Sequence, residues 1–383
     1  MVEPFGLYVH WPWCVRKCPY CDFNSHALTR EVNEKEYLDS LLTDLVHSLN
    51  LAEFPTLTSI FFGGGTPSLM TPAGFDYLMN GIRRYATLVD DCEITMEANP
   101  GTVEQAKFKS FAESGVNRFS IGIQSFNDVF LERLGRIHSV SEAHKAVDAA
   151  LSCTDNVNLD VMYALPGQTM ENMQVDVETA ISKGTSHLSL YELTIEEGTA
   201  FAKRVPADLP EGDDAADMSE WIWQRTAEAG FEHYEISGYA KPGRRCRHNL
   251  TYWTFGDYLG IGAGAHGKYT LDGRIYRTVR VSNPMRYMED AAKLKFFEQK
   301  FAVEKEDYAF EFMLNALRLT EGVPTDVWTK RTGLPLSTIE KTLSELKAEG
   351  LLVDTDDRIV ATDLGHRFLS NVQERFLAVD ADE

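Results

Sequence analysis

The sequence contains few basic residues for its length. Its 383 residues include 37 Lys and Arg against 58 Asp and Glu, which gives a formal net charge of −21. Binding to nucleic acid or anionic lipid requires clustered cations that neutralise phosphate. The composition therefore argues against a nucleic-acid partner, and we expect none.

Long hydrophobic runs are also missing. A membrane-spanning helix needs roughly 18 or more consecutive apolar residues, and no such run occurs. The first residues lack the basic segment and apolar core of a secretory signal. We therefore expect a cytoplasmic protein without a membrane span, and a peripheral contact with a membrane is compatible with that expectation.

Cysteine is sparse, with six residues in the whole chain. This density is far below that of a disulfide scaffold. Three of the six nevertheless form one cluster, Cys14-x₃-Cys18-x₂-Cys21. In a reducing compartment such a cluster is more typical of metal ligands than of disulfides. The other three have no ligand spacing and are expected to pack as small apolar residues: Cys92, Cys153 and Cys246.

Short apolar runs alternate with segments of helical periodicity in the first half of the chain. The predicted strands lie over 7–11, 59–62, 93–97, 118–124, 158–164 and 187–193. The predicted helices lie over 33–51, 72–85, 103–114, 139–151 and 171–183. This alternation predicts βα units around a parallel sheet. We expect an α/β fold with a partial (β/α)6 barrel like that of a TIM barrel.

Three segments are predicted along the chain. Residues 1–240 form the barrel with its N-terminal cysteine loop, and residues 241–300 form a connecting region with a Gly-rich turn stretch over 256–267. Residues 301–383 resemble a winged-helix unit, with helices over 325–332 and 337–349 and a hairpin over 351–361. This unit has 9 Lys and Arg against 17 Asp and Glu. Because a DNA-reading winged helix is basic, we interpret it as a packing or lid domain.

Unusual residues follow the predicted strands at their carboxyl ends, where barrels carry their chemistry. The cysteine loop follows the first strand, and Gly63-Gly-Gly-Thr-Pro follows the second. Three thiolates on one loop can hold three irons of a cubane cluster and leave one iron open to a ligand. The alternative is a zinc site with His26 as a fourth ligand.

Five motifs carry a family resemblance. They are the segment from Tyr8 to Cys21, Gly63-Gly-Gly-Thr-Pro-Ser, Ile121-Gly-Ile-Gln-Ser-Phe, Leu134-Gly-Arg-Ile-His and Asp160-x₄-Leu-Pro-Gly-Gln-Thr. In this order they resemble the radical SAM superfamily, and within it the oxygen-independent coproporphyrinogen dehydrogenases and their relatives, the HemW heme chaperones. The resemblance extends over nearly the whole chain.

The resemblance implies two cofactors and their ligands. Cys14, Cys18 and Cys21 would ligate a [4Fe-4S] cluster whose open iron binds S-adenosyl-L-methionine (SAM). Glycines allow the close approach of a ligand to the backbone, and Tyr20 would pack on adenine. The residues expected to bind SAM are Tyr8, Tyr20, Gly64, Gly65, Thr66, Glu97, Gln124, Arg136 and Asp160. Taken alone, the glycines fit a tight turn equally well, and Tyr8, Gln124 and Asp160 fit core positions.

Two positions separate the subfamilies. The dehydrogenases carry a further cysteine two residues after the third ligand, where this chain has Phe23. The segment His248-Asn-Leu-Thr-Tyr-Trp253 resembles the H-N-x-x-Y-W motif of the HemW family, in which the histidine is associated with heme. We therefore expect His248 to bind heme, with Arg244, Arg245 and Arg247 facing its propionates. A solvated basic loop with a structural histidine is the alternative. The alternative heme ligands are His26, His138, His233 and His266.

The resemblance implies a heme chaperone that binds heme, a [4Fe-4S] cluster and exchangeable SAM, and passes heme to apo-hemoproteins such as respiratory cytochromes. No residue is predicted to be catalytic. The alternative is an oxygen-independent coproporphyrinogen III dehydrogenase, and a third is a zinc-stabilised binding module. The sequence indicates no particular oligomeric state.

Overall fold

A computed structural model of the protein describes residues 3–29, 32–101 and 105–378. The strands, numbered in chain order, are β1 (Phe5–Trp11), β2 (Trp13–Cys14), β3 (His26–Ala27), β4 (Thr56–Gly64), β5 (Thr87–Ala98), β6 (Arg118–Gln124), β7 (Val157–Tyr163), β8 (His187–Glu192), β9 (Glu232–Glu235), β10 (Gly238–Ala240), β11 (Asp257–Ile261), β12 (His266–Leu271), β13 (Arg274–Arg280), β14 (Phe297–Ala302), β15 (Val323–Pro324) and β16 (Arg358–Ile359).

The helices of the same residues are α1 (Glu34–Leu51), α2 (Pro72–Tyr85), α3 (Phe108–Glu113), α4 (Asp128–Arg133), α5 (Val140–Leu151), α6 (Met170–Ser182), α7 (Ala200–Lys203), α8 (Gly212–Glu228), α9 (Arg247–Trp253), α10 (Pro284–Ala291), α11 (Tyr308–Ala316), α12 (Thr325–Thr332), α13 (Glu340–Ala348), α14 (Asp363–Arg367) and α15 (Leu369–Glu374). The start of the helix predicted over 103–114 lies outside the described residues. No helix in the described part of the chain is long and apolar enough to cross a bilayer.

The six predicted strands form the centre of the main sheet. Strands β1, β4, β5, β6, β7 and β8 lie side by side in chain order, and all five pairings are parallel. Parallel strands are buried on both faces, which explains their runs of apolar and β-branched residues. The expected α/β fold with a partial barrel is confirmed, and the sheet stays open because β14 and β9 are its edges.

The two faces of the central strands differ in chemistry. On the outer face, Phe62 of β4 packs against Phe75 of α2 with ring centroids 5.0 Å apart. The inner face carries buried polar side chains instead, among them Ser59, Arg118 and Asn158. The helical side therefore supplies the hydrophobic core, and the interior of the partial barrel is polar.

The segment 241–300 differs from its expected form. The Gly-rich stretch over 256–267 contains β11 and the start of β12 rather than turns alone. Strand β11 pairs in parallel with β1, and β12, β13 and β14 extend the sheet by antiparallel pairing. The apolar run in β11 is short, and its pairing partner lies about 250 residues earlier in the chain, so local sequence patterns do not reveal it.

The C-terminal helices occur where they were predicted. Helix α12 spans the predicted residues, and α13 lies inside the predicted range. Their core contains Phe312 and Trp328, whose rings meet edge to face at 5.3 Å. Tyr234 and Phe255, from the preceding part of the chain, belong to the same buried cluster. The C-terminal helices therefore pack directly on the body that carries the sheet.

Candidate cofactor-binding site

A cavity of about 260 Å³ lies at the carboxyl ends of the central parallel strands. All the residues predicted from the sequence to bind the cluster or SAM line it, except Tyr8, and none of those predicted to bind heme does. The lining includes Cys14, Cys18, Tyr20, Cys21, Gly64, Gly65, Thr66, Glu97, Gln124, Arg136 and Asp160. The βα topology brings these residues together from segments that are far apart in sequence.

The three clustered cysteines are free thiols on one wall of the cavity. Cys14 ends β2, and the backbone N–H of Cys21 donates to the carbonyl of Cys18 over 3.2 Å, which turns the loop back on itself. Burial, together with the neighbouring Cys21 and Cys18, raises the pKa of Cys14. Thiolates held this close repel one another until a cation neutralises them, and three sulfur donors suit an iron–sulfur cluster.

The geometry disfavours a single zinc ion bound by the cysteines and His26. His26 does not line the cavity, and its Nε2 lies 3.2 Å from Oδ1 of Asn24. Among the described residues, no three His, Cys, Asp or Glu side chains are arranged to hold one metal ion. The thiol ligands of a cubane lie farther apart than those of one ion, because a separate iron lies behind each sulfur.

The glycine turn after β4 supports the cysteine loop. The backbone N–H of Gly65 donates to the carbonyl of Trp11 (2.7 Å), and that of Thr66 donates to the carbonyl of Trp13 (2.8 Å). A Cβ on Gly65 would lie 2.5 Å from the backbone oxygen of Trp13, and Gly64 has a φ of +113°. The turn is therefore tight, as the structural interpretation of these glycines predicted. Its residues also line the cavity, where a ligand could approach the backbone.

Two carboxyl groups face the cavity from β5 and β7, the strands on either side of β6. Glu97 accepts a hydrogen bond from the backbone N–H of Gly64 (3.1 Å), and burial and then the charge of Asp160 raise its pKa to about 8. Asp160 accepts hydrogen bonds from Ser120 (3.1 Å) and Asn158 (2.8 Å), and burial raises its pKa. A cationic or hydroxyl-bearing ligand would be stabilised beside this pair.

Gln124 sits at an irregular point of the sheet. Its φ is +67°, and the pairing of β6 with β7 shifts register between Gly122 and Gln124. Such bulges redirect a side chain at the edge of a site. The hydroxyl of Tyr191 donates to Oε1 of Gln124 over 2.6 Å, which fixes the amide with its nitrogen available. Tyr191 lines the cavity, and sequence reasoning missed it.

Arg136 joins the cysteine loop to the strand ends. Its Nη1 donates to Sγ of Cys18 (3.8 Å), and its Nη2 donates to Oδ1 of Asn99 (2.7 Å) and to the carbonyl of Gly122 (2.8 Å). Asn99 also donates to Oγ1 of Thr66 (2.9 Å). Asn99 was missed, although its place in Glu97-Ala-Asn-Pro, at the end of β5, was a signal for it.

Tyr8 lies behind the cavity rather than in its lining. Its hydroxyl is 2.9 Å from Nδ1 of His10, and Nε2 of His10 is 3.0 Å from the carbonyl oxygen of Asn24. This chain of contacts connects β1 to the cysteine loop. His10 was missed, and its signal was the i, i+2 spacing that places Tyr8 and His10 on one face of the strand.

Tyr20 lines the cavity beside the cysteines. Its ring is tilted against that of Phe201, with centroids 6.5 Å apart. Burial raises its pKa, so the hydroxyl is neutral at physiological pH. The ring is placed where a flat ligand group in the cavity could contact it.

His248 lies elsewhere, inside the barrel against the amino-terminal halves of β1 and β4. It is buried, its Nδ1 is 2.9 Å from Oγ of Ser59, and its Nε2 is 2.6 Å from the hydroxyl of Tyr252. Burial and then Arg118 lower its pKa to about 3. Each ring nitrogen therefore has a partner, and ligation of iron by His248 would replace the contact of one nitrogen while the other could keep its own.

The rest of the H-N-x-x-Y-W motif also has structural contacts. The i, i+4 spacing on α9 brings Tyr252 to His248. The guanidinium of Arg318, from the segment after α11, lies 4.2 Å from the ring centroid of Trp253. The motif therefore links the barrel interior to the C-terminal helices.

The basic cluster before the motif does not present free guanidinium groups. Each of its arginines already forms an ion pair, which the sequence interpretation of a propionate site did not anticipate. The pairs are Arg244 with Asp155 (2.5 Å), Arg245 with Glu232 (3.1 Å) and Glu321 (2.7 Å), and Arg247 with Asp91 (2.8 Å). These carboxylates compete with any propionate, so the cluster is satisfied as a set of structural ion pairs.

Comparison with known proteins agrees with this fold. Residues 8–180 match the family described as the radical SAM superfamily, and residues 303–368 match the HemN C-terminal domain. The coproporphyrinogen III oxidase HemN from Escherichia coli, a radical SAM enzyme, has the same fold, with a TM-score of 0.82 at 21% identity over 98% of this chain and 90% of that one. Fold and site thus define a radical SAM protein.

Relatives of higher sequence identity assign the chain to a family within this superfamily. The chain is 46% identical over 379 residues to the heme chaperone HemW of Escherichia coli (strain K12), covering 98% of this chain and 99% of that protein. It is 33% identical over 379 residues to the heme chaperone HemW of Bacillus subtilis (strain 168), covering 97% and 99%. The chain belongs to the HemW family.

Proposed function

We propose that this protein is a heme chaperone that binds heme, a [4Fe-4S] cluster and exchangeable SAM, and transfers heme to acceptor hemoproteins. The observation that carries the proposal is the match along nearly the whole chain with the heme chaperone HemW of Escherichia coli. A match of this extent includes the C-terminal helices as well as the barrel.

The cavity supports the cofactor part of the proposal. Cys14, Cys18 and Cys21 would hold the cluster, which when bound supplies one-electron chemistry toward SAM. The fork of Arg136 suits a carboxylate, and the pair Glu97 and Asp160 suits the sulfonium charge or ribose hydroxyls of SAM. The backbone of Gly64, Gly65 and Thr66 would lie along the methionine moiety.

One side chain argues against the alternative of coproporphyrinogen oxidation. Phe23 lines the cavity and is 58% exposed, at the position where the dehydrogenases carry a further cysteine. A phenyl ring supplies neither a thiol ligand nor a proton donor there. We therefore propose that the chain lacks the dehydrogenase reaction.

A paired assay on the cluster-reconstituted protein tests the proposal. We expect heme titration to reach saturation and the bound heme to pass to an apo-cytochrome, with no conversion of coproporphyrinogen III in the presence of SAM and a reductant. The Cys18→Ser variant is the matched control for cluster-dependent steps. Formation of protoporphyrinogen, or absence of heme binding by the wild type, would overturn the proposal.

We propose respiratory cytochromes as acceptors and the cytoplasm as the location, with peripheral contact at the membrane where such acceptors reside. Heme transfer measured against acceptors of different type, with soluble globins beside membrane cytochromes, tests the first point.

A further inference from the structure

The turn that ends the cysteine loop has two sides. Phe23 and Ser25 line the cofactor cavity, whereas Asn24, which lies between them, does not. The backbone N–H of Ser25 donates to the carbonyl of Phe23 over 2.6 Å, which makes a three-residue turn centred on Asn24. The side chain of Asn24 is thus directed to a different part of the molecule from its two neighbours.

The amide of Asn24 connects this turn to β11–β14, which we call the sheet extension. Its Nδ2 donates to the carbonyl of Ala263, just after β11, over 2.9 Å. The same nitrogen donates to the carbonyl of Ser282, just after β13, over 2.8 Å. These carbonyls lie 239 and 258 residues later in the chain, and together they use both hydrogens of the amide. We call this pair of hydrogen bonds the Asn24 latch.

The turn that accepts the latch is held from its other side. The backbone N–H of Ala263 donates to the hydroxyl of Tyr37 (3.0 Å), and that of Gly262 donates to Asp44 (3.3 Å). Asp44 forms an ion pair with Arg280 over 2.9 Å, and both side chains are almost completely buried. Separating a buried ion pair is costly because it leaves an unpaired charge inside the protein. The latch therefore ties the cysteine loop to a rigid part of the fold.

The close approach of the two turns requires a glycine. A Cβ on Gly264 would lie 2.3 Å from Nδ2 of Asn24, and Gly264 has a φ of +78°. Glycine adopts such a φ without steric cost and leaves room for the amide. The sequence therefore supplies both parts of the latch, the donor on one turn and the space for it on the other.

The neighbour of Asn24 contacts a predicted cluster ligand. Oγ of Ser25 lies 3.4 Å from Sγ of Cys21, and Ser25 is buried. The sulfur of a ligating cysteine carries no proton, so the hydroxyl is the donor when the cluster is bound. Hydrogen bonds to the sulfurs help to set the reduction potential of an iron–sulfur cluster. Because the reduced cluster carries more negative charge, such a bond stabilises it more and raises the potential.

We propose that the hydroxyl of Ser25 donates to the Cys21 sulfur of the bound cluster and raises its reduction potential, and that Asn24 is a positioning residue that holds Ser25 in place. The inference goes beyond the proposed function and rests on the proposed cluster ligands. Among the described residues, none in 257–302 lines the cavity. The sheet extension thus contributes to the cofactor site through the latch alone.

A redox titration of the reconstituted cluster, followed by electron paramagnetic resonance, tests the role of the hydroxyl. For Ser25→Ala we expect the ratio of reduced to oxidised cluster at a fixed potential to fall about tenfold, which is about 59 mV for a one-electron couple. Asn24→Ala should shift the potential in the same direction. The double variant should shift it no further than Ser25→Ala does, because both changes act through one hydroxyl.

Asn80→Ala is the matched control for the redox titration. Asn80 is exposed on α2, and its Nδ2 donates to Asp76 (2.9 Å), so the wild-type potential should be retained. A wild-type potential in Ser25→Ala would overturn the role of the hydroxyl. Additive shifts in the double variant would show that Asn24 does not act through Ser25.

Limited proteolysis of the cluster-free protein tests the latch separately. Chymotrypsin cleaves after phenylalanine, and Phe23 is 58% exposed. Without the two hydrogen bonds the turn should open more often, so cleavage after Phe23 in Asn24→Ala should be roughly tenfold faster than in the wild type. Cleavage after Phe54, which is 59% exposed, is the internal reference for a general folding defect.

The outcomes of the two experiments are distinguishable. Ser25→Ala keeps the latch, so its cleavage after Phe23 should match that of the wild type. Equal cleavage after Phe23 in Asn24→Ala and the wild type would overturn the latch. A wild type that takes up no iron on reconstitution would instead overturn the proposed cluster ligands, and with them the role of the Ser25 hydroxyl.

Discussion

The guanidinium of Arg136 contacts Sγ of Cys18 at 3.8 Å while its other nitrogen donates to Oδ1 of Asn99 at 2.7 Å. One side chain thus connects a cysteine of the loop to the end of β5. Its orientation is set before any ligand arrives, so less conformational entropy is lost when one binds.

The first prediction concerns the two terminal nitrogens of the Arg136 guanidinium. Arg136→Lys keeps the charge and loses the planar donor pair, so we expect SAM affinity to fall by about 1.5–3 kcal/mol, the usual value of a hydrogen bond to a charged group. Equilibrium binding of SAM to the reconstituted variant measures it. Iron and sulfide content should stay at wild-type levels, and unchanged SAM affinity would remove Arg136 from the binding site.

The second prediction separates the ligand cysteines from the others. Cys18→Ser should abolish most of the cluster, because a hydroxyl is a poor ligand for iron in this setting. Cys153→Ser is the control, since Cys153 is half-buried just after α5, and its Sγ donates to the carbonyl of Ala149 (3.3 Å) and lies 3.8 Å from Oγ of Ser152. Iron and acid-labile sulfide per chain are the measurements. Equal loss in both variants would contradict the assignment.

The third prediction follows from the pKa of Glu97, which burial and Asp160 raise from 4.5 to about 8. At a pH between these two pKa values, Glu97 is protonated in the folded chain and ionised in the unfolded chain. The free energy of unfolding of the cofactor-free protein should therefore fall as pH rises from about 5 to 8, by up to about 1.4 kcal/mol per pH unit from this group.

Glu97→Gln should remove that part of the pH dependence, because glutamine does not titrate. Urea unfolding across the pH range compares the wild type, Glu97→Gln and the exposed-site control Glu132→Gln. Identical slopes for wild type and Glu97→Gln would show that Glu97 titrates normally.

The sequence was sufficient to predict that the site residues lie close together, because parallel strands place their carboxyl ends at one edge of the sheet. Gly64, Glu97 and Asp160 lie on different strands and still line one cavity. This common location follows from the order of alternating strands and helices along the chain, and no knowledge of contacts is needed to predict it.

The surroundings of His248 and the arginines were not predictable in the same way. Arg247 pairs with Asp91, and His248 contacts Ser59, partners that lie more than 150 residues away. Composition showed a basic cluster in an acidic chain, but an acidic chain also supplies nearby carboxylates. Only the fold determines which of them reach the cluster.

The fourth prediction tests the glycine turn. In Gly65→Ala the new methyl would meet the backbone oxygen of Trp13, which cannot move as a side chain can. We expect a loss of about 1–3 kcal/mol in the free energy of unfolding, together with a lower cluster content because Trp13 precedes Cys14. Gly212→Ala is the control, since a Cβ there meets nothing within 4 Å. Equal stability of Gly65→Ala and wild type would show that the turn adapts freely.

The last prediction concerns the buried histidine of the H-N-x-x-Y-W motif. His248→Ala leaves the hydroxyls of Ser59 and Tyr252 without their partner, at about 1–3 kcal/mol for each buried group. We therefore expect a clear loss in the free energy of unfolding, measured by urea unfolding, because the ring serves the barrel interior. Ser59→Ala removes one of the two contacts from the other side, so it should lose less stability. Equal stability of His248→Ala and the wild type would show that the ring does not support the barrel interior.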